Sequence, residues 1–257
     1  MQDLRLRIGS LDQNIGFYYK NLVTQEVYSH NEKELFIPAS VIKLPVLVGV
    51  FWLAYQKKLS LEDTLFVKEE DKLPSCGALN SFSREIEVDL LTLCRLMITI
   101  SDNTATNLLI RYCGQDVLNE LFYRMNLRDT LINRLLFDEE ASSKGIENQT
   151  TAFDMGILLE KLYRRQILNV DACDSILEIL SKQQINHKIK ERLPQGTRVA
   201  HKTGEDSGIS NDVGIIYARR PFVLSIFSKD ADIYKVNDFM RNISYEFFER
   251  NDGPDVK

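Results

Sequence analysis

The spacing of hydrophobic positions changes twice along the chain. Over residues 15–30, Ile15, Phe17, Tyr18 and Tyr19 supply β-favouring bulk, residues 21–25 hold a turn, and Val27 and Tyr28 begin a return, which predicts a hairpin. From Pro38 to about Leu180 the pattern becomes mostly helical. Val46, Leu47, Val50, Phe51 and Ala54 recur at helix spacing, as do Leu90, Leu93, Leu96 and Met97. A further helix is predicted over 104–112, behind Ser101-Asp102 as a capping pair, and another over 151–164, with Met155, Leu158, Leu159 and Leu162 on one stripe. After Pro194-Gln195-Gly196 the pattern returns to strands over 198–202, 213–218 and 222–228, and an amphipathic helix over 233–248 closes the chain.

Strands, many helices, strands, helix is the order of an α+β protein rather than of βαβ alternation. Because the β segments lie at both ends, the simplest geometry is one antiparallel sheet formed by both chain ends, with helices packed on it and a helical lobe inserted. The expectation is a single catalytic unit over residues 1–257, with a sheet lobe over about 1–37 and 195–257 and a helical lobe over about 38–194. A cleft between two lobes is a preferred place for a small-molecule site.

Composition narrows the class. The 257 residues carry 44% hydrophobic and 27% charged side chains, the balance of a globular protein with a sizeable core. A net charge of −5 gives no electrostatic footprint for nucleic acid. The longest nearly unbroken apolar run, residues 44–55, is too short for a bilayer and has the length of a buried helix. The opening MQDLRLRIGSLDQ lacks the apolar core of a secretory leader, so the protein is expected either in the cytosol or, if a leader has been removed, outside it. Cys76, Cys94, Cys113 and Cys173 lie far apart, with no C-x-x-C pair and no neighbouring histidines. They read as isolated thiols acting as small buried hydrophobes, Cys94 best of all, although spacing leaves a disulfide open. No metal or other cofactor is expected.

Three short segments carry chemistry. Ser40-Val41-Ile42-Lys43 places a hydroxyl and an amine three residues apart, on one face of a helix start. A serine hydroxyl needs a base to become a nucleophile, and a lysine serves if burial or neighbouring cations lower its pKa. Alone the pattern is weak: S-x-x-K occurs roughly once per chain of this size, and a capping serine with a snorkelling lysine is then the better explanation. Ser101-Asp102-Asn103 precedes a helix, and Lys202-Thr203-Gly204 ends a strand. Each tripeptide arises by chance in about one chain in thirty. Together, in this order and on these elements, the three are hard to attribute to chance.

S-x-x-K, S-D-N and K-T-G in this order resemble the signature of class A β-lactamases and penicillin-binding proteins. More than the tripeptides agrees. The hairpin leading into Pro38-Ala39-Ser40, the stretch ITISDNTATN (98–107), Thr150-Thr151 before Asp154-Met155, and LPQGTRVAHKTG (193–204) are all similar to family segments. The resemblance covers roughly residues 15–248 and implies a serine hydrolase of β-lactamase/transpeptidase-like fold that works through an acyl-enzyme. By that resemblance Ser40 is the nucleophile, Lys43 accepts or helps accept its proton, Ser101 relays a proton to the leaving nitrogen, and Lys202 holds the network positive. Asn103 meets the acyl side-chain amide, and Lys202 with Thr203 meets the substrate carboxylate. Backbone N–H groups of Ser40 and of Glu205, which follows Gly204, form the oxyanion hole, a role in which the Glu205 side chain has no part.

Two departures from the family pattern stand out. Class A enzymes release the acyl group with a water activated by the glutamate of an E-x-x-L-N segment. Here residues 134–148 read RLLFDEEASSKGIEN, and aligning Arg134 with the arginine that opens the family's loop puts Leu136, which cannot act as a base, at the glutamate position. Glu139 and Glu140 lie a few residues later and can reach inward if the loop is reshaped, with a solvated acidic loop as the plainer alternative, and Glu147 is a weaker candidate that is read as pairing with Arg134. Second, the arginine that often precedes Gly-Ile-Ile is absent: Val213 and Asp212 stand before Gly214-Ile215-Ile216, and Arg219 and Arg220 read as surface charges. His201 and Asp102 are expected to be a satisfied, partly buried imidazole and a helix cap. Three functions follow: β-lactam hydrolysis, a penicillin-binding-protein-like D,D-peptidase or esterase with slow acyl release, and a non-hydrolytic β-lactam-binding module. The intact Ser40, Lys43, Ser101 and Lys202 argue against the last. The partner is a small-molecule substrate, with a monomer as the expected state.

Overall fold

The structure is a computed structural model that describes residues 8–9 and 14–253. The opening segment read above for a leader lies outside the described residues, apart from 8–9, as do residues 254–257. Strands β1 (Asn14–Asn21), β2 (Val27–His30), β5 (Val199–Asp206), β6 (Ile209–Ile216) and β7 (Phe222–Lys229) form one antiparallel sheet in the order β2-β1-β7-β6-β5. The α+β expectation of a sheet drawn from both chain ends holds.

Period-two alternation sorts the sheet's side chains onto two cores. Ile15, Phe17 and Tyr19 of β1 and Phe222, Leu224 and Ile226 of β7 face the closing helix α8 (Ile233–Asp252), which covers them with Phe239, Met240, Ile243 and Phe247. The rings of Tyr19 and Phe247 stack with centroids 4.0 Å apart. On the opposite face, Tyr18, Val213, Ile215, Val223 and Phe227 join the larger helical core. At its centre runs α1 (Lys43–Tyr55), apolar on all sides and buried for most of its length, as a helix surrounded by others must be. Around it pack α2 (Leu90–Thr99), α3 (Asn103–Cys113), α4 (Gln115–Arg124) and α7 (Val170–Ser181), while α6 (Ala152–Tyr163) lies against the sheet. A short α5 (Glu139–Ser143) sits in the loop between α4 and α6.

Side-chain caps set several helix starts. Asp89, Asp102, Thr151 and Asn169 each accept a backbone N–H from three residues on. One feature of the inserted region differs from the helical expectation: β3 (Thr64–Val67) and β4 (Ile86–Asp89) pair as a small second sheet. Four residues are too few for alternation to register, and the partners are separated by an irregular segment, so no local hairpin signal exists. Ser40 lies not in α1 but in a 3-10 turn, Ala39–Ile42, that leads into it. Cys94, Cys113 and Cys173 are buried as expected, whereas Cys76 is exposed.

Candidate active site

The three segments converge where the sheet edge meets the helical region. Ser40 sits on its turn between α1 and β5, with Ala39 held at φ +46°. Asn211 on β6 fixes the approach to this turn, its side-chain amide donating to the carbonyls of Ile37 and Pro38 at 3.0 and 3.1 Å. Gly204, the cross-strand partner of Asn211, presses against the same turn. A Cβ there would lie 2.5 Å from the Pro38 carbonyl oxygen and 3.2 Å from the Ser40 amide nitrogen, so only glycine lets strand and turn approach this closely.

Behind Ser40 lie two fully buried amines. Lys43 Nζ lies within hydrogen-bond reach of Ser101 Oγ (3.0 Å), the Ser101 carbonyl (2.9 Å) and Asn103 Oδ1 (2.7 Å), of which a neutral amine can donate to two at a time. Lys202 Nζ donates to the same Ser101 Oγ at 3.1 Å and to the Thr203 carbonyl at 2.9 Å. Ser101 therefore bridges the amines, from a left-handed backbone conformation (φ +58°) that a serine adopts only under constraint. Burial, followed by the positive charge of Lys202, holds the Lys43 amine well below the usual lysine range. Burial also pulls Lys202 down to about 7, against the opposing pull of the Asp212 carboxylate. An amine that is neutral near pH 7 can take a hydroxyl proton, and an ammonium beside it favours developing negative charge.

Ser40, Asn103 and Glu205 open onto a cavity of about 440 Å³, bordered also by Ser75, Cys76, Leu136, Phe137 and Glu139. Leu136 is anchored there by Asn107, whose side-chain amide accepts from the Leu136 N–H (3.0 Å) and donates to its carbonyl (2.9 Å). Glu139 stands exposed at the rim. Glu140 is turned to solvent and pairs with Lys144 at 2.6 Å. Glu147 binds Arg134 through two guanidinium nitrogens (2.9 and 2.6 Å), closing the loop as its sequence suggested. Asp102 caps α3 through Ala105 N–H (2.9 Å) and also ties down the N–H groups of Ala78 and Leu79 (2.7 and 3.0 Å). His201 is fully buried, its ring nitrogens 3.0 Å from Asp212 Oδ1 and 3.0 Å from Asn186 Oδ1. Arg220 bonds the Arg250 carbonyl near the end of α8.

One charged residue of this region escaped the sequence reading. Lys188 is fully buried behind β5, donating to the carbonyls of Gly204 (3.0 Å) and Asn211 (3.1 Å), with Glu205 Oε1 3.0 Å away. His187 Nε2 meets the same Glu205 oxygen at 2.7 Å. Burial pushes the Glu205 carboxyl up, but Lys188 and His187 outweigh it and leave it below the usual carboxylate range. In INHKIKERL nothing separates Lys188 from Lys190, which is why only the fold reveals it. Cys76, read above with the buried thiols, instead stands exposed on the cavity wall, its carbonyl accepting the Asn103 N–H (3.2 Å).

Comparison with known proteins agrees with this geometry. The BRO-1 β-lactamase of Moraxella catarrhalis is 26% identical over 229 residues, spanning 83% of this chain and 70% of that protein. Among solved structures, a β-lactamase from Sphaerobacter thermophilus superimposes with a TM-score of 0.87 at 27% identity, covering 94% of this chain and 93% of its own. A leucine-to-glutamate variant of PBP-A, captured as an acyl-enzyme complex with penicillin G, also reaches 0.87, at 26% identity and over 97% and 94% of the two chains. The model of the β-lactamase enzyme family matches residues 2–250, and the chain belongs to that family.

Proposed function

We propose that this protein is a serine β-lactamase, opening the amide of a β-lactam ring through an acyl-enzyme, with the whole chain acting as one catalytic unit. The observation that carries the reading is the single hydroxyl, Ser101 Oγ, held 3.0 Å from one buried amine and 3.1 Å from another beside the Ser40 turn. Ser40 Oγ attacks the lactam carbonyl carbon and passes its proton to the neutral Lys43 amine. The carbonyl oxygen becomes an oxyanion facing the N–H groups of Ser40 and Glu205. As the C–N bond breaks, the proton held on Lys43 travels through Ser101 to the leaving nitrogen, and the Lys202 ammonium stabilises that transfer. Asn103 and Thr203 orient the acyl amide and the substrate carboxylate.

Water must then cleave the ester, and here a second reading has its own support. Leu136, a side chain with no proton to give or take, stands on the cavity wall, and Glu139, a base candidate offered by the sequence, is exposed at the rim. A penicillin-binding-protein-like enzyme with a long-lived adduct fits that wall. Turnover of a chromogenic cephalosporin, followed together with intact mass, tests both. Sustained hydrolysis abolished in Ser40→Ala and slowed in Glu139→Gln or Glu140→Gln supports the hydrolase with that base. A stoichiometric burst with a persistent adduct supports slow release, and neither turnover nor adduct refutes the enzyme.

A further inference from the structure

Lys188 lies outside the acyl-transfer steps above, yet it is bonded to the peptide those steps depend on. Its ammonium has three donors, and three acceptors meet it: the carbonyls of Gly204 and Asn211 and the carboxylate of Glu205. Gly204 and Asn211 stand opposite each other across the β5–β6 ladder. One nitrogen reaches both of their carbonyl oxygens only if both point into the gap between the strands. In a trans peptide the N–H points opposite to the C=O. The Glu205 N–H, the other end of the Gly204 carbonyl's peptide group, is therefore directed away from β6. Since β5 is the edge strand, that direction leads toward Ser40, whose amide nitrogen is a close neighbour of Gly204.

We propose that Lys188 is a positioning residue of the oxyanion site: by binding the Gly204 carbonyl it fixes the plane of the 204–205 peptide and polarises it, so that the Glu205 N–H becomes a stronger, pre-aimed donor to the oxyanion. Withdrawing electron density at a peptide oxygen strengthens the N–H at the other end of the same conjugated group. The inference rests on the acyl-enzyme reading above. Direct contact between Lys188 and a substrate anion is a poorer account, because the amine is fully buried and its donors are already used.

The test compares wild type with Lys188→Met, Lys188→Gln, Lys188→Arg and Glu205→Gln. Acylation by a cephalosporin is timed by quenching and intact mass at rising substrate, and the ester carbonyl stretch of the acyl-enzyme is read by infrared difference spectroscopy. Loss of a whole oxyanion donor costs about 10²–10³ in rate, so weakening one by removing its cation is expected to slow saturated acylation about ten- to thirtyfold. Apparent substrate affinity should stay within about threefold, because the interaction strengthens only in the transition state. The ester band should move to higher wavenumber in the Met and Gln variants and return toward wild type in Lys188→Arg. Burial lowers the Lys188 pKa and Glu205 opposes that, so Glu205→Gln, which alters a half-exposed side chain, is read at acidic pH, where the cation stays in place without its anion and the band should move to lower wavenumber even if the neutral Lys188 variants fail to fold. An unmoved band with an unchanged rate in a folded neutral variant, an upward shift in Glu205→Gln, or an effect confined to substrate affinity would overturn the proposal. If wild type forms no adduct, the acyl-enzyme reading fails and takes this role with it. If wild type acylates and the variants match it, only the role of Lys188 fails.

Discussion

Gly204→Ala inserts one methyl group between the strand and the turn that together present the proposed oxyanion donors. The new carbon would stand 2.5 Å from the Pro38 carbonyl oxygen, 3.1 Å from the Val41 amide nitrogen and 3.2 Å from the Ser40 amide nitrogen. All three are backbone atoms, and Asn211, the cross-strand partner of Gly204, holds the Pro38 carbonyl in place, so none can swing clear as a side chain would. Restoring ordinary contact requires β5 and the turn to part by roughly 1 Å, a displacement that at a reacting centre costs about a hundredfold in rate. Overpacking at such a junction also destabilises by about 1–3 kcal/mol. Single-turnover acylation of a cephalosporin, timed by quenched intact mass below the variant's melting temperature, separates the two effects. Acylation within about threefold of wild type, in a variant whose melting temperature is also unchanged, would refute the claim that turn and strand form one rigid donor pair.

Further outcomes are expected. Because Asn107 anchors the Leu136 backbone through both its N–H and its carbonyl, Leu136→Glu should hold a carboxylate at the cavity wall and shorten the acyl-enzyme lifetime about 10²–10⁴-fold; adduct decay followed by mass spectrometry checks this, and an unchanged lifetime contradicts the placement. Lys202, with its pKa lowered to about 7, is ammonium below that pH and amine above it, so the acylation rate should fall as pH rises through about 7, and Lys202→Arg should carry that limb upward; a flat profile from pH 6 to about 9 would rule out a need for the charge. The same shift makes stability rise with pH from about 7 toward the ordinary lysine value of 10.5, since across that window the unfolded chain binds the extra proton, and denaturant melts at two pH values would show it. Asp102→Ala removes a carboxylate that serves three backbone N–H groups and should cost about 3 kcal/mol in urea unfolding; a loss below about 1 kcal/mol would show that water replaces it.

What could be read before folding, and what could not, divides on physical lines. Ser40 and Lys43 are three residues apart, so a turn of helix alone brings them together, and Ser101, Lys202 and their neighbours are legible because each belongs to a short contiguous string. The hairpin and the closing helix follow from period, a property of adjacent residues. Lys188 is different: its meaning comes from carbonyls of Gly204 and Asn211 that only strand pairing aligns. The β3–β4 pair is hidden for the same reason, its stabilising partners lying across an irregular segment. Glu140 illustrates the converse, since a carboxylate near a loop in the sequence can face solvent, and its pairing with Lys144 follows from the i, i+4 spacing of the short α5.

The sheet also constrains how the chain acquires its structure. β1 lies between β2 and β7, and its full-length partner, with Asn14 opposite Lys229, leaves a ribosome only after the whole helical region has been made. Until then the early hairpin keeps one flank unsatisfied, a template for pairing with other chains. Such long-range closure is slow, because loop entropy is lost before contacts compensate for it. Molecules interrupted before β7 should therefore aggregate rather than persist as a folded remnant, and Ser40 should gain its counterpart amine on β5 only after the helical region has been made.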